Sequence, residues 1–163
     1  MAEGEFALMQ QHLDAALKIS LSKGRAAGSE HDLYAMCADA AAQQRLPADL
    51  QKYAPLAEAT AMRIDHKPHM AIAHRAWGVA HMLAGEYPQA EARFKQALAI
   101  FTDYQAPWQI GRTLFEMGEL ARAQSQQEQA RDYFTRALSA FEELRAAPYA
   151  ARTRAALENL GPT

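Results

Sequence analysis

A chain of 163 residues with a formal net charge of −2, half of it hydrophobic and 22% charged, has the size and balance of one ordinary folded domain. Residues 111 to 163 carry seven Lys or Arg against seven Asp or Glu, so the basic stripe that nucleic-acid binding needs is missing. The lone Cys37 allows no internal disulfide, the acidic start lacks the order of a secretion signal, and no apolar run approaches the roughly 18 residues of a membrane span; a soluble, cytoplasmic protein is expected.

Composition points to an all-α fold. The 37 Ala and 13 Gln stand against one Val, five Ile and six Thr, an abundance of helix formers and a shortage of the β-branched residues that build sheets. In chain order, periodicity and breakers predict about eight helices, near 4–23, 31–44, 48–63, 69–84, 88–102, 108–125, 127–145 and 149–160. The first presents Phe6, Met9 and Leu13. Residues 20–29, with Gly24 and Gly28, form the clearest loop, and Pro47, Pro68, Pro107 and Pro148 mark helix starts. Pro55 is expected to kink its helix or split the first turn, and Pro88 suits a first helical position, where the missing N–H costs nothing. With no long linker, residues 1–163 form one domain.

The chain repeats itself. Trp77-Gly78, Ala90, Phe94 and Ala97-Leu98 recur 40 residues later as Met117-Gly118, Ala130, Phe134 and Ala137-Leu138, and Ala38 and Ala57 keep the offset upstream. Gly4, Phe6, Met9, Leu13 and Ala16-Leu17 reproduce the second half of the unit 81 residues before its best copy. Ala90, Phe94, Ala97 and Leu98 form one apolar stripe on a helix, whereas Gly78 and Gly118 sit where a facing helix comes close. Gly85 and Tyr87 bracket a tight turn, for which Arg45 stands in the first copy and Ser125 in the third. The unit is a helical hairpin, giving a half repeat at 4–23, repeats at about 31–64, 69–103 and 108–145, and a C-terminal helix at 149–160.

These residues resemble the tetratricopeptide repeat family, whose Trp, Leu-Gly, Tyr, Gly-x-Tyr, Ala, Phe and Ala-Leu pattern is met in part by His74, Trp77-Gly78, His81, Gly85-x-Tyr87, Ala90, Phe94 and Ala97-Leu98. The resemblance implies a right-handed superhelix of antiparallel hairpins that binds a protein partner. The 40-residue period and segments such as Ala97-Leu98-Ala99-Ile100-Phe101 look like the repeat regions of bacterial LuxR-type regulators and their ATPase relatives, which implies a regulatory setting. No helix-turn-helix and no phosphate loop accompanies them, so neither DNA binding nor ATP hydrolysis carries over.

In hairpin stacks of this kind the first helix of each pair lines the concave wall. The register places Asp32, Ala35, Asp39 and Ala42 there, then Ile72, Arg75, Val79 and Met82, then Arg112, Phe115, Glu119 and Arg122. Apolar side chains interspersed with Arg suit a peptide or a partner helix; an alternative is that Ile72, Val79 and Met82 only touch the neighbouring repeat. Replacing Arg112 and Phe115 is expected to weaken partner capture with folding nearly intact, and Arg93 and Arg131 on the outer wall are expected to be silent. The family's terminal-carboxylate grip uses Lys and Asn on this wall, and Asp39, Val79 and Glu119 stand there instead.

Other chemistry is weakly announced. His66, His69, His74 and His81 with Asp65 form the one concentration of ligand-type residues, but His74 and His81 occupy packing positions and no His-Glu-x-x-His pair is present. Cys37 matches apolar Trp77 and Met117 and is expected to pack. The reading is a non-catalytic interaction scaffold without cofactor or metal. Alternatives are a small-molecule-sensing regulatory domain and a metal-dependent helical enzyme built on the histidines. The N-terminal end, with Phe6, Met9 and Leu13, is expected either to self-associate or to be covered by a preceding helix.

Overall fold

The computed structural model describes residues 30–161 together with residues 11–12, 15–16 and 18–19. Phe6, Met9 and Leu13, and with them most of the expected half repeat, lie outside the described residues. Between 30 and 161 the chain is helical throughout: α1 (Glu30–Gln44), α2 (Pro47–Arg63), α3 (Lys67–Leu83), α4 (Tyr87–Asp103), α5 (Pro107–Ala123), α6 (Gln127–Glu143) and α7 (Ala147–Glu158). Consecutive helices pack against one another, and α1 also packs on α3. The result is an all-α repeat superhelix of hairpins α1/α2, α3/α4 and α5/α6, with α7 closing the series.

The turns are more regular than the sequence suggests. Arg45, Asp65, Gly85, Gln105, Ser125 and Arg145 all adopt positive φ, between 49° and 77°, at a spacing of 20 residues. After each, one backbone N–H bonds to the carbonyl five residues back: Leu46 to Ala41, His66 to Ala61, Glu86 to His81, Ala106 to Phe101, Gln126 to Ala121 and Ala146 to Phe141, all at 2.8–3.0 Å. Each bond satisfies a carbonyl that the helix end leaves without a partner. The turns at Arg45 and Ser125 therefore share the geometry of Gly85 despite their side chains, and α5 ends at Ala123 because Ser125 is already left-handed.

Five non-glycine residues hold this conformation against the clash of Cβ with the backbone, at about 1 kcal/mol each. Gln105→Gly is thus expected to raise stability by up to about 1 kcal/mol, and Gly85→Ala to lower it by about the same. Denaturant midpoints check both, and a fall for Gln105→Gly would show that its side chain contributes more than its backbone costs.

Pro55 does not split its helix. It lies inside α2, which runs unbroken from Pro47 to Arg63. Pro55 and Gln51 both face solvent, so water takes up the Gln51 carbonyl that Pro55 cannot serve.

Close packing inside each hairpin follows one rule of volumes. A Cβ added to Gly78 would lie 2.5 Å from the Phe94 ring, and one added to Gly118 would lie 2.6 Å from Phe134. At the matching positions of the first hairpin stand Ala38 and Ala54, both fully buried. Glycine takes phenylalanine, and alanine takes alanine. Cys37 is buried in the same core as Ala38, Leu50 and Tyr53.

Candidate functional site

The first helices of the hairpins, α1, α3 and α5, converge with α7 on the inner face. Asp39 of α1 is its centre. One Asp39 oxygen accepts from Arg75 Nη2 of α3 at 2.8 Å and from Arg112 Nη2 of α5 at 2.9 Å, and the other accepts from Arg112 Nη1 at 2.9 Å. Arg75 also donates to the Gln109 carbonyl and to Thr113 Oγ1, each at 3.3 Å, and lies over the Phe101 ring. Only 2% of its side chain is exposed. Burial by itself would raise the Asp39 carboxyl, but the two guanidiniums outweigh it and hold the group at about 2. Desolvation, and then the neighbouring Arg112, pull Arg75 down to about 10 against the pull of Asp39, which leaves it charged at neutral pH.

Two further links cross the same face. Tyr149 Oη of α7 donates to Gln43 Oε1 of α1 at 3.0 Å, and Arg45 of the first turn meets Glu116 of α5 at 2.6 Å. Between these groups, Gln43, Arg112, Phe115, Glu116, Tyr149 and Arg152 enclose about 10 Å³, room for a single water. The middle of this face is filled by its own side chains.

Of the residues assigned to partner binding from the sequence, Arg75 and Val79 are buried and present no surface. Arg112 is 9% exposed with its donors on Asp39, and Phe115 is 6% exposed against Phe134. The expectation that Arg112 and Phe115 can be replaced with folding nearly intact is therefore corrected: both belong to the packed interior, and their loss destabilises it. Ile72 is half-buried against Ala71 and Phe101, and Met82 is half-buried against the core of α1–α4. Glu119 accepts from Arg122 Nη2 at 2.8 Å. Of the other wall positions, Ala35 and Ala42 are buried and Asp32 is exposed. The outer residues Arg93 and Arg131 make bonds within the chain. Arg93 bonds to Glu58 Oε1 and to His74 Nδ1, and Arg131 donates to the Gly161 carbonyl.

A cleft of about 300 Å³ lies between α6 and α7, lined by Phe141, Ala147 and Ala150, and the inner face keeps an open groove. Phe115, Glu119 and Arg122 of α5 face Arg152, Ala155 and Ala156 of α7 and nearby Asn159 across a space of about 230 Å³. The Arg152 guanidinium lies 4.3 Å from the centre of the Phe115 ring. Sequence reasoning missed Arg152, Tyr149 and Gln43. The 40-residue offset carries the wall position of Arg112 to Arg152, but α7 was treated as a terminal helix outside the repeats.

His66 and His69 lie together with ring centres 3.9 Å apart, and His74 and His81 have other partners. His66 Nδ1 accepts from the His69 backbone N–H at 3.2 Å and caps α3, while His69 Nε2 stands 3.4 Å from Asp32. His74 takes a hydrogen bond from Arg93, and burial together with that guanidinium lowers its pKa, so it is neutral at pH 7. His81 stacks on Trp77 and bonds to Glu86 at 2.6 Å. Among the described residues no three His, Cys, Asp or Glu side chains come close enough together to hold a metal, and no helix is long and apolar enough to cross a membrane.

Hairpins stacked at a fixed period, with small-to-large packing inside each, define a helical-hairpin repeat protein. Residues 69–143, which are the α3/α4 and α5/α6 hairpins, match the tetratricopeptide repeat family, and this supports that family for the chain. Tetratricopeptide repeats generally mediate protein–protein interaction and typically act as non-catalytic scaffolds. No curated protein is similar enough to add to this.

Proposed function

We propose that the chain is a non-catalytic interaction module that takes a segment of a partner protein in the α5/α7 groove, with no metal, cofactor or nucleic acid in its action. The observation that carries this is the groove itself, open over about 230 Å³ where the rest of the inner wall is closed. It keeps Phe115, Glu119 and Arg122 of the twelve wall positions read from sequence; Arg75, Val79 and Arg112 are buried and Ile72 and Met82 half-buried. The neighbouring enclosed space of about 10 Å³ favours a partner on the surface over a metabolite held inside, and so favours this reading over a small-molecule sensor.

A photo-crosslinking residue placed at exposed Ala155 tests this, with another at exposed Thr135 on α6 as the outer-face control. In extract of the native host, Ala155 is expected to give a discrete protein adduct and Thr135 none. Adducts from Thr135 alone would move the binding surface to the convex side.

A further inference from the structure

The inner face carries Arg45, Arg75, Arg112, Arg122 and Arg152, and their partners differ: Arg45 meets Glu116. Arg75 and Arg112 share Asp39, and Arg122 is held by Glu119. Arg152 is the exception: its guanidinium rests over Phe115, and among the described residues no carboxylate or carbonyl meets it. A guanidinium over an aromatic ring is attracted by the ring's negative face, and its N–H donors stay available to an acceptor. The contact restrains the side chain, so less freedom is lost when an acceptor arrives. Beside it the methyl groups of Ala155 and Ala156 line the same groove. Glu119 stands across the groove, but its charge is answered by Arg122 at 2.8 Å.

Resting on the groove reading above, we propose that the partner segment is acidic and apolar together: an internal Asp or Glu side chain received by the Arg152 fork, next to an apolar side chain laid on Ala155, Ala156 and the edge of Phe115. A carboxylate matches two parallel N–H donors, whereas an amide offers one acceptor oxygen and an NH₂ that repels the fork. The groove therefore distinguishes Glu from Gln at one position. Lysine in place of Arg152 would keep the charge and lose both the fork and much of the stacking.

The test uses the full chain and a library of N-acetylated, C-amidated decapeptides, so that no terminal carboxylate takes part. Peptides enriched on the wild-type chain are expected to carry Asp or Glu beside Leu, Ile, Phe or Met. For the best of them, Glu→Gln in the peptide and Arg152→Gln in the protein should each weaken binding about tenfold or more, the two together little more than either alone, with Arg152→Lys recovering only part. Arg152 is exposed, so an unchanged thermal melt confirms that these variants are folded. Peptides that bind without acidic preference, or an acidic preference that survives Arg152→Gln, would overturn this inference and leave the groove reading standing. Binding that persists when exposed Ala155→Trp fills the space would overturn both.

Discussion

Replacing Asp39 with alanine is expected to destabilise the fold by about 2–4 kcal/mol, more than any surface substitution. Removing one member of a buried ion group leaves the others charged and unpaired, at a cost of about 3–5 kcal/mol when burial is complete; Asp39 keeps 19% of its side chain exposed, which lowers the figure. Arg75 cannot turn to water, because it is enclosed by α1, α3 and α5 with Thr113 and Gln109 around it. Asp39→Asn keeps the volume and one acceptor oxygen, and should lose less. Urea midpoints of the two variants check the order, and an alanine variant as stable as wild type would show that water replaces the carboxylate without penalty. Acid should reproduce the effect. The folded carboxyl sits at about 2 and the free one at 3.8, so its contribution, about 2 kcal/mol by linkage, is complete above pH ~4 and disappears as the pH falls through about 2. In Asp39→Asn that portion of the acid sensitivity should be missing.

Gly78→Leu is the second large effect, with a loss of about 1–3 kcal/mol. The first carbon of the new side chain already overlaps the Phe94 ring at 2.5 Å, and Phe94 is fully buried, so the ring must be displaced into close-packed surroundings. Helix propensity works the other way, favouring leucine over glycine by somewhat under 1 kcal/mol, and is too small to prevail. A double-mutant cycle makes the cause visible. Gly78→Ala should destabilise the wild type yet stabilise a Phe94→Ala background, where it recreates the Ala38/Ala54 arrangement of the first hairpin. Additive costs in that cycle would place the strain of Gly78→Ala somewhere other than against Phe94.

The helices and the 40-residue unit were legible because both are written in local periodicity: Ala90, Phe94, Ala97 and Leu98 mark one face, and Gly78 and Gly118 the close approach. The 20-residue turn spacing was hidden, since Arg45, Gln105, Ser125 and Arg145 carry no side-chain sign of a left-handed backbone and Asp65 alone belongs to a type that favours it. Hydrogen bonding at the helix end imposes it on them. The inner face was legible in membership but not in exposure. Arg75 and Arg112 fall off the local packing stripe and read as solvent-facing, yet curvature brings α5 to within hydrogen-bond distance of Asp39, 73 residues away. Nothing in a helical period encodes the winding of the stack, so neither this contact nor that of Gln43 with Tyr149, 106 residues apart, could be placed. Arg152 follows the same logic: its role depends on α7 curling back beside α5.

Linear stacks of repeats ordinarily lose structure from their ends, because each unit touches only its neighbours and adds its own increment of stability. The Asp39–Arg112 and Gln43–Tyr149 contacts tie α1 to the third hairpin and to α7, skipping the units between. Fraying of α7 alone breaks a bond that α1 needs, and loss of α1 strips the charge partner from α3 and α5. Slow amide exchange in α1 should therefore show protection close to that of α5, and cutting Tyr149 back to Phe should lower the protection of α7 first, with α1, α3 and α5 still joined through Asp39.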